Sequence, residues 1–167
     1  MIHFRAAVGL GSNIGNRQAH IQRALDRLRL LAVDGQLLAA PIRATEPLKV
    51  GQHDPGGEYL NTAATLAITL EPEALLDALH AIERQLGRDR VAQPNGAPRT
   101  IDLDLLLFDD RIIASPNLSV PHPGLTSRRF VLEPLAAIAP LWRVPAAGVD
   151  QARWPTVVEV FNALAAR

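Results

Sequence analysis

The strongest constraint on the fold is a pair of strand-like runs with only turn residues between them. The runs cover residues 37–45 and 59–70, and residues 46–58 between them include three Gly and two Pro. Because this connection lacks a helical pattern, it suits antiparallel pairing better than a parallel crossover. Since amphipathic helices interleave with the strands, we expect an α+β protein with two layers, in which helices pack on a mostly antiparallel sheet.

Hydrophobic periodicity and turn residues predict the other elements. The predicted order is a strand over 6–10, a helix capped by Asn16 that stops at Asp34-Gly35, a helix from Pro72 to Gly87, a strand over 100–108, a short helix over 133–138 and a last helix with the capping pair Thr156 and Glu159. Residues 88–98 are predicted as a second long loop, and residues 116–129 as irregular. A length of 167 residues suits a single domain over 1–167.

The charge balance argues against a polyanionic partner. The chain has 17 basic and 17 acidic side chains, so no overall field attracts nucleic acid or an anionic membrane. It has no Cys, which excludes disulfides and thiolate metal sites. The first apolar run breaks at Gly9 and is too short for a signal or membrane segment. We expect a cytoplasmic monomer whose anion binding is local.

Two carboxylates stand in the strongest predicted strand. Residues 101–105 read Ile-Asp-Leu-Asp-Leu, and the strand period of two puts Asp102 and Asp104 on one face. Two neighbouring acids repel each other and lose solvation, which favours a hard cation such as Mg²⁺ between them. The alternative interpretation is an exposed edge strand with two solvated acids.

An arginine-rich stretch precedes this strand. It contains Arg84, Arg88, Arg90 and Arg99. Guanidinium groups beside a metal-binding acid pair favour a polyphosphate ligand. The alternative is a solvated loop in which Arg84 and Arg88 complement the helix dipole. Glu83, one turn before the helix end, is interpreted as an exposed helix residue.

Two loop features have open interpretations. Residues 9–15 form a glycine-rich turn between a strand and a helix. Because the turn lacks the Lys of a P-loop, it suits a tight connection at least as well as a phosphate contact. His122 lies between Pro121 and Pro123, and Arg128 follows six residues later. Both are candidates for phosphate contact, and an ordinary surface position is the alternative.

Five motifs, taken in order, resemble one family. They are G-S-N at 11–13, Y-L-N at 59–61, P-R-T-I-D-L-D-L at 98–105, V-P-H at 120–122 and R-R-F at 128–130. Together they span nearly the whole chain and closely resemble the 6-hydroxymethyl-7,8-dihydropterin pyrophosphokinase family of folate biosynthesis. The resemblance implies a ferredoxin-like α+β sandwich with ATP as co-substrate. It also implies two Mg²⁺ ions held by Asp102 and Asp104, attack of the pterin hydroxyl on the β-phosphorus, and release of AMP.

The resemblance also implies roles by position. The catalytic group would comprise Asp102, Asp104 and Arg99. The pterin would be contacted by Thr45, Leu48, Asn61 and Asp102, with Tyr59 and Phe130 stacking on its two faces. The nucleotide phosphates would be contacted by Arg88, Arg90, Arg99, His122 and Arg128. The adenine and ribose would lie against Leu105, Leu118 and Ser119. Loops 46–58 and 88–98 would close over the site.

The chain departs from the family pattern in both loops. Pro94 and Asn95 stand where some members have Arg and Trp, and the segment that leads to Arg99 is one residue longer. The first loop is also longer than expected, and Glu46 replaces a Pro of some members. We therefore expect loop closure to differ in this protein.

Two other functions compete with this interpretation. A nucleotidyltransferase also pairs a Gly-Ser turn with an Asp-x-Asp strand, but there the acids follow within a short helix. Here Ser12 and Asp102 are 90 residues apart. A binding module without activity is the other alternative, and it does not need a clustered acid pair.

Overall fold

The computed structural model describes residues 2–46, 57–88 and 97–166. Its strands are β1 (Phe4–Ser12), β2 (Leu37–Ala39), β3 (Arg43–Thr45), β4 (Tyr59–Ile68), β5 (Asp102–Phe108), β6 (Ile113–Ala114) and β7 (Ser119–Val120). Its α-helices are α1 (Arg17–Leu31), α2 (Pro72–Gln85), α3 (Arg129–Ile138) and α4 (Val157–Ala165). No helix in this part of the chain combines the length and apolar character needed to cross a bilayer.

The main sheet is antiparallel and has β1 at its centre. Its order is β2-β4-β1-β5, and β3 also pairs with β4. β6 and β7 form a separate two-stranded sheet. Along the chain, β1, α1, the β2–β3 pair, β4, α2 and β5 follow the β-α-β-β-α-β order of a ferredoxin-like sandwich. The predicted ferredoxin-like α+β class and the antiparallel pairing of the two runs are confirmed.

Helices pack on both faces of the sheet. On one face, α1 and α2 bury side chains against β1 and β5, namely Ile21, Leu25, Leu28, Leu75, Leu79 and Ile82. On the other face, α3 and α4 pack against Ala7, Ala63 and Leu107. Because side chains alternate along a strand, Gly9 and Gly11 share the face of Ala7. The three atoms nearest to a Cβ on Gly9 belong to Leu106 of β5, and those nearest to a Cβ on Gly11 belong to Asn61 and Tyr59 of β4.

The predicted helix caps are present. The Asn16 side chain accepts a hydrogen bond from the Ala19 N–H at 3.1 Å. Thr156 and Glu159 form the reciprocal capping box that starts α4. After α2, Gly87 has φ 88°, a left-handed conformation that favours glycine and ends the helix as predicted.

Three local predictions were wrong. The short helix begins at Arg129 rather than at 133, with Pro134 inside it, because the burial of Val131, Leu132 and Leu135 outweighs the local cost of the proline. The run over 37–45 is two short strands. The stretch 116–129, predicted as irregular, contains β7 and the start of α3.

Candidate active site

Both acids lie on the edge strand β5, opposite glycines of the central strand β1. Asp102 pairs with Gly11 and Asp104 pairs with Gly9 in the β1–β5 register. Both carboxylates therefore lie on the same face of the sheet as these glycines. Leu103 between them is buried and packs into the opposite core. The prediction that the two acids share one face is confirmed.

A β-bulge in β5 brings a histidine to the acid pair. The β1–β5 register shifts between Ala7 and Val8, which makes Leu106 an extra residue in β5. The carbonyl of Leu106 accepts a hydrogen bond from the His122 N–H at 2.9 Å. The Nε2 atom of His122 then lies 3.9 Å from Oδ1 of Asp104. The structure thus brings His122 to the site.

Two guanidinium groups hold Asp102. Arg88 donates to its Oδ1 and Arg99 donates to its Oδ2. Burial alone would raise the pKa of Asp102, but the charges and hydrogen bonds of Arg88 and Arg99 together lower that pKa below its ordinary value. Asp102 is therefore ionised at neutral pH.

Glu83 is a buried partner of this cluster. Its interpretation as an exposed helix residue was wrong, since it is 0% exposed. Its Oε1 accepts hydrogen bonds from Arg88 at 2.6 Å and from the Leu103 N–H at 2.8 Å. The turn at Gly87 brings Arg88 back to the end of α2, where the Arg88 N–H bonds to the Glu83 carbonyl at 3.0 Å. Glu83 and Asp102 thus share one guanidinium.

Asp104 has no arginine bound to it among the hydrogen bonds and ion pairs of the described residues. Burial, and next the negative charge of Asp102, raise the pKa of Asp104 to about 6. The two acids therefore differ, because two arginines are bonded to Asp102 while the group paired with Asp104 among the described residues is His122. A cation at Asp104 would relieve this imbalance.

The other side of Gly11 carries polar groups of β3 and β4. Asn61 pairs with Gly11 in the β1–β4 register, and its Nδ2 donates to Thr45 Oγ1 at 2.6 Å. Tyr59 is near Arg99 and Asp102, and burial raises the pKa of its hydroxyl. Thr45, Tyr59, Asn61 and Asp102 thus surround one glycine.

Asn13 ties Arg99 to β1. Its Oδ1 accepts a hydrogen bond from the Arg99 N–H at 2.7 Å, and its own N–H donates to the Arg99 carbonyl at 3.1 Å. Its Nδ2 also reaches the Gly57 carbonyl at 3.5 Å. The structure thus places Gly11 and Ser12 at the end of β1, and Asn13 bonds to Gly57 near the end of the first long loop and to Arg99 just after the second.

A cavity of about 230 Å³ opens beside Asp104. It is lined by Leu76, His80, Leu103, Asp104, Leu105, Asn117, Leu118, Ser119, His122 and Pro123. The three predicted adenine and ribose residues are brought together here with His122. The sequence analysis did not predict Leu76, His80 and Asn117 as residues of this cavity. The signal for the first two was their spacing of four on the predicted second helix, which places them on one side of it.

The remaining predicted residues are partly outside the described chain. Leu48 and Arg90 lie outside the described residues, as do Pro94 and Asn95. Phe130 is in the first turn of α3 and packs, partly buried, against the core under that helix. Arg128 immediately precedes α3 as its N-cap residue.

An antiparallel α+β sheet with a carboxylate pair, bound arginines and a nearby histidine is typical of enzymes that transfer a phosphorus-containing group. Residues 7–140 match the family model described as 7,8-dihydro-6-hydroxymethylpterin-pyrophosphokinase. The chain belongs to this family and is an enzyme of the diphosphotransferase class.

Curated relatives support this assignment, and a solved structure shares the fold. The 2-amino-4-hydroxy-6-hydroxymethyldihydropteridine pyrophosphokinase of Pseudomonas aeruginosa is 41% identical over 141 residues, which cover 84% of each chain. The enzyme of the same name from Bacillus subtilis is 40% identical over 133 residues, which cover 80% of this chain and 77% of the relative. A crystal structure of Plasmodium falciparum HPPK-DHPS matches 99% of this chain with a TM-score of 0.74 at 14% identity. This chain spans 46% of that solved chain, and the likeness supports the fold.

Proposed function

We propose that this protein transfers the pyrophosphoryl group of ATP to the hydroxymethyl group of 6-hydroxymethyl-7,8-dihydropterin and releases AMP, as a step of folate biosynthesis. The observation that carries the proposal is the pair Asp102 and Asp104 on one face of the sheet, with two guanidiniums on the first acid. The family membership and the names of the relatives support the choice of substrates.

The donor set fits Mg²⁺. Within residues 2–46, 57–88 and 97–166, no three His, Cys, Asp or Glu side chains converge to hold a metal ion. Mg²⁺ is commonly bound by one or two carboxylates together with phosphate oxygens and water. Asp102 and Asp104 would hold two Mg²⁺ ions with the phosphates of ATP. When bound, the ions would neutralise charge on the phosphates.

The pterin would lie over Gly11. Thr45, Asn61 and Asp102 offer a hydroxyl, an amide and a carboxylate around this glycine, which suits the donors and acceptors of a pterin ring. Tyr59 would stack on the ring. The absence of a side chain at Gly11 lets Asn61 and Tyr59 lie close to the backbone of β1, where they would contact the ring.

The nucleotide would lie between the acids and the cavity beside Asp104. Leu105, Leu118 and Ser119 would contact its adenine and ribose, and Arg88, Arg99, His122 and Arg128 its phosphates. The pterin hydroxyl would attack the β-phosphorus in line with the departing AMP. Positioning and charge neutralisation would supply most of the catalysis.

Several predictions from the sequence remain part of this proposal. Leu48 and Phe130 would contact the pterin, and Arg90 would contact the phosphates. Loops 46–58 and 88–98 would close over the site. Residues 1–167 would form a single domain that acts as a cytoplasmic monomer.

Product analysis tests the reaction. The purified protein is mixed with ATP and Mg²⁺, with and without the hydroxymethyl pterin, and nucleotides are separated by chromatography. We expect AMP and pterin diphosphate in equal amounts, and only with the pterin present. Release of inorganic pyrophosphate would instead indicate a nucleotidyltransferase, and a lack of any product would indicate a binding module.

Arg99→Ala tests the proposed contact between the Arg99 guanidinium and the phosphates of ATP. We expect turnover to fall about tenfold or more, because a hydrogen bond to a charged group is lost in the transition state. The dissociation constant of the pterin alone should change much less. Steady-state kinetics and fluorescence titration of the pterin measure the two effects. An unchanged turnover would leave Arg99 with a structural role only.

Gly11→Ala tests the position of the pterin. A Cβ at residue 11 would lie 2.9 Å from Oδ1 of Asn61, so the Asn61 side chain must shift. We expect the KM for the pterin to rise about tenfold, because overpacking displaces a group that recognises the ring. The KM for ATP is the internal control and should stay within twofold or so. Equal changes in both constants would contradict this placement.

A further inference from the structure

In the turn before α3, Gly124 contacts two residues that we propose to bind phosphate, His122 and Arg128. The Gly124 N–H donates to Nδ1 of His122 at 3.0 Å. A Cβ on Gly124 would lie 2.8 Å from Cδ and Nε of Arg128 and 3.0 Å from its Cζ. The side chain of Arg128 therefore occupies the space that any side chain at 124 would fill.

Backbone bonds make this turn well defined. The Leu125 N–H donates to the His122 carbonyl at 2.9 Å, and the Arg128 N–H donates to the Gly124 carbonyl at 3.1 Å. Leu125 is fully buried beneath α3. The backbone of Gly124 is thereby fixed relative to both functional side chains.

The bond from Gly124 also selects the tautomer of His122. Because Nδ1 accepts a hydrogen bond, neutral His122 carries its proton on Nε2. This Nε2 is the atom that lies 3.9 Å from Asp104. His122 therefore presents a donor toward the acid pair, which suits an anionic oxygen of a bound phosphate.

A side chain at position 124 is disfavoured by the nearby Arg128 side chain rather than by the backbone conformation. Among the described residues, the glycines with positive φ are Gly15, Gly35, Gly87 and Gly148. Gly124 is not one of them, so its backbone can accept an alanine. The atoms that a Cβ would displace belong to the flexible end of Arg128. An alanine at 124 should therefore move the guanidinium without unfolding the chain.

We propose that Gly124 is a positioning residue that sets the affinity for the nucleotide, by orienting His122 through its N–H and by leaving room for Arg128. This inference rests on the proposed contact of both side chains with the phosphates of ATP. The ligand class is a nucleoside triphosphate, and the pterin is not involved.

A double-mutant cycle of Gly124→Ala and Arg128→Ala tests the Arg128 half. We expect each single variant to raise the KM for ATP, Gly124→Ala by about fivefold, and the double variant to match Arg128→Ala alone. The KM for the pterin and the midpoint of thermal unfolding should stay close to those of the unmodified protein. Ser127→Ala, an exposed change in the same turn, is the control and should leave both KM values unchanged.

The outcomes separate this inference from the proposed function. If Arg128→Ala raises the KM for ATP but Gly124→Ala does not, the positioning role is overturned and the phosphate contact stands. If the two effects add in the double variant, Gly124 does not act through Arg128 and the inference is also overturned. If Arg128→Ala has no effect, the phosphate contact of Arg128 fails together with the inference.

Nitrogen NMR of His122 tests the other half. In ¹⁵N-histidine-labelled protein at alkaline pH, we expect His122 to carry its proton on Nε2, both in the unmodified protein and in Gly124→Ala, because alanine keeps the N–H. A spectrum with the proton on Nδ1 would overturn the role of Gly124 in orienting His122.

Discussion

Asp104→Asn should lower turnover by about 10²-fold or more while the fold remains intact. Asp104 is the acid without a bound arginine in the described chain, and Mg²⁺ is the cation that we propose for it. An amide keeps the shape of the side chain but is a weaker ligand for Mg²⁺. Loss of several kcal/mol of charge stabilisation corresponds to about two or three powers of ten in rate.

The same substitution should have the opposite effect on stability. The pKa of Asp104 is raised to about 6 in the folded chain, mainly by burial and then by Asp102. The unfolded chain therefore releases this proton at lower pH, and ionised Asp104 opposes folding above about pH 6. Without Mg²⁺, Asp104→Asn should raise the unfolding midpoint at pH 8, and the gain should disappear near pH 4.

Turnover at saturating substrates and thermal unfolding at the two pH values measure these effects. Asp110→Asn is the matched control, because Asp110 is an exposed acid outside the site. It should change neither turnover nor the pH dependence of stability. Wild-type turnover of Asp104→Asn at ordinary Mg²⁺ concentrations would contradict the metal role of Asp104.

Local sequence patterns were sufficient to predict the acid face of the site. The alternation around Asp102 and Asp104 depends only on the strand period, and it survives in β5 because β5 pairs regularly with β1 there. The cap at Asn16 and the capping box at Thr156 are also local, since each joins residues three positions apart. Such features need no knowledge of distant contacts.

The surroundings of the acids could not be predicted in this way. The bulge at Leu106 depends on its pairing with β1, and the Asn13–Arg99 contact joins residues 86 positions apart. Neither has a local pattern in the sequence. His80 and Asn117 meet beside Asp104 only because α2 and the β6–β7 sheet approach the same end of β5.

Glu83 is an intermediate case, since a signal for its burial was present. Together with Leu75 and Leu79, it continues the stripe of buried residues at a spacing of four along α2. An acid on a buried stripe requires a cation, and Arg88 follows five residues later. The position of Glu83 on this stripe predicts burial, whereas its charge led to the interpretation that it is exposed.

Arg88→Met should be the most destabilising of these substitutions. We expect it to lower the free energy of unfolding by about 3 kcal/mol or more. The Arg88 side chain is 7% exposed and Glu83 is 0% exposed, so the substitution removes a guanidinium that is bonded to a fully buried carboxylate. Asp102 would lose one of its two arginines. Methionine keeps the unbranched stem and limits any cavity to the head group.

A rescue variant separates the lost charge from lost packing. Glu83→Gln keeps an oxygen acceptor for the Leu103 N–H, which lies 2.8 Å from Glu83 Oε1, and removes the charge. The double variant Glu83→Gln/Arg88→Met should therefore be more stable than Arg88→Met alone, because removing both members of a buried pair costs less than removing one. Arg84→Met is the matched control on the exposed side of α2, with an expected change within about 0.5 kcal/mol. Urea unfolding of these three variants and of the unmodified protein measures their free energies of unfolding. Equal stabilities of Arg88→Met and Arg84→Met would contradict a charge-dependent role for this cluster.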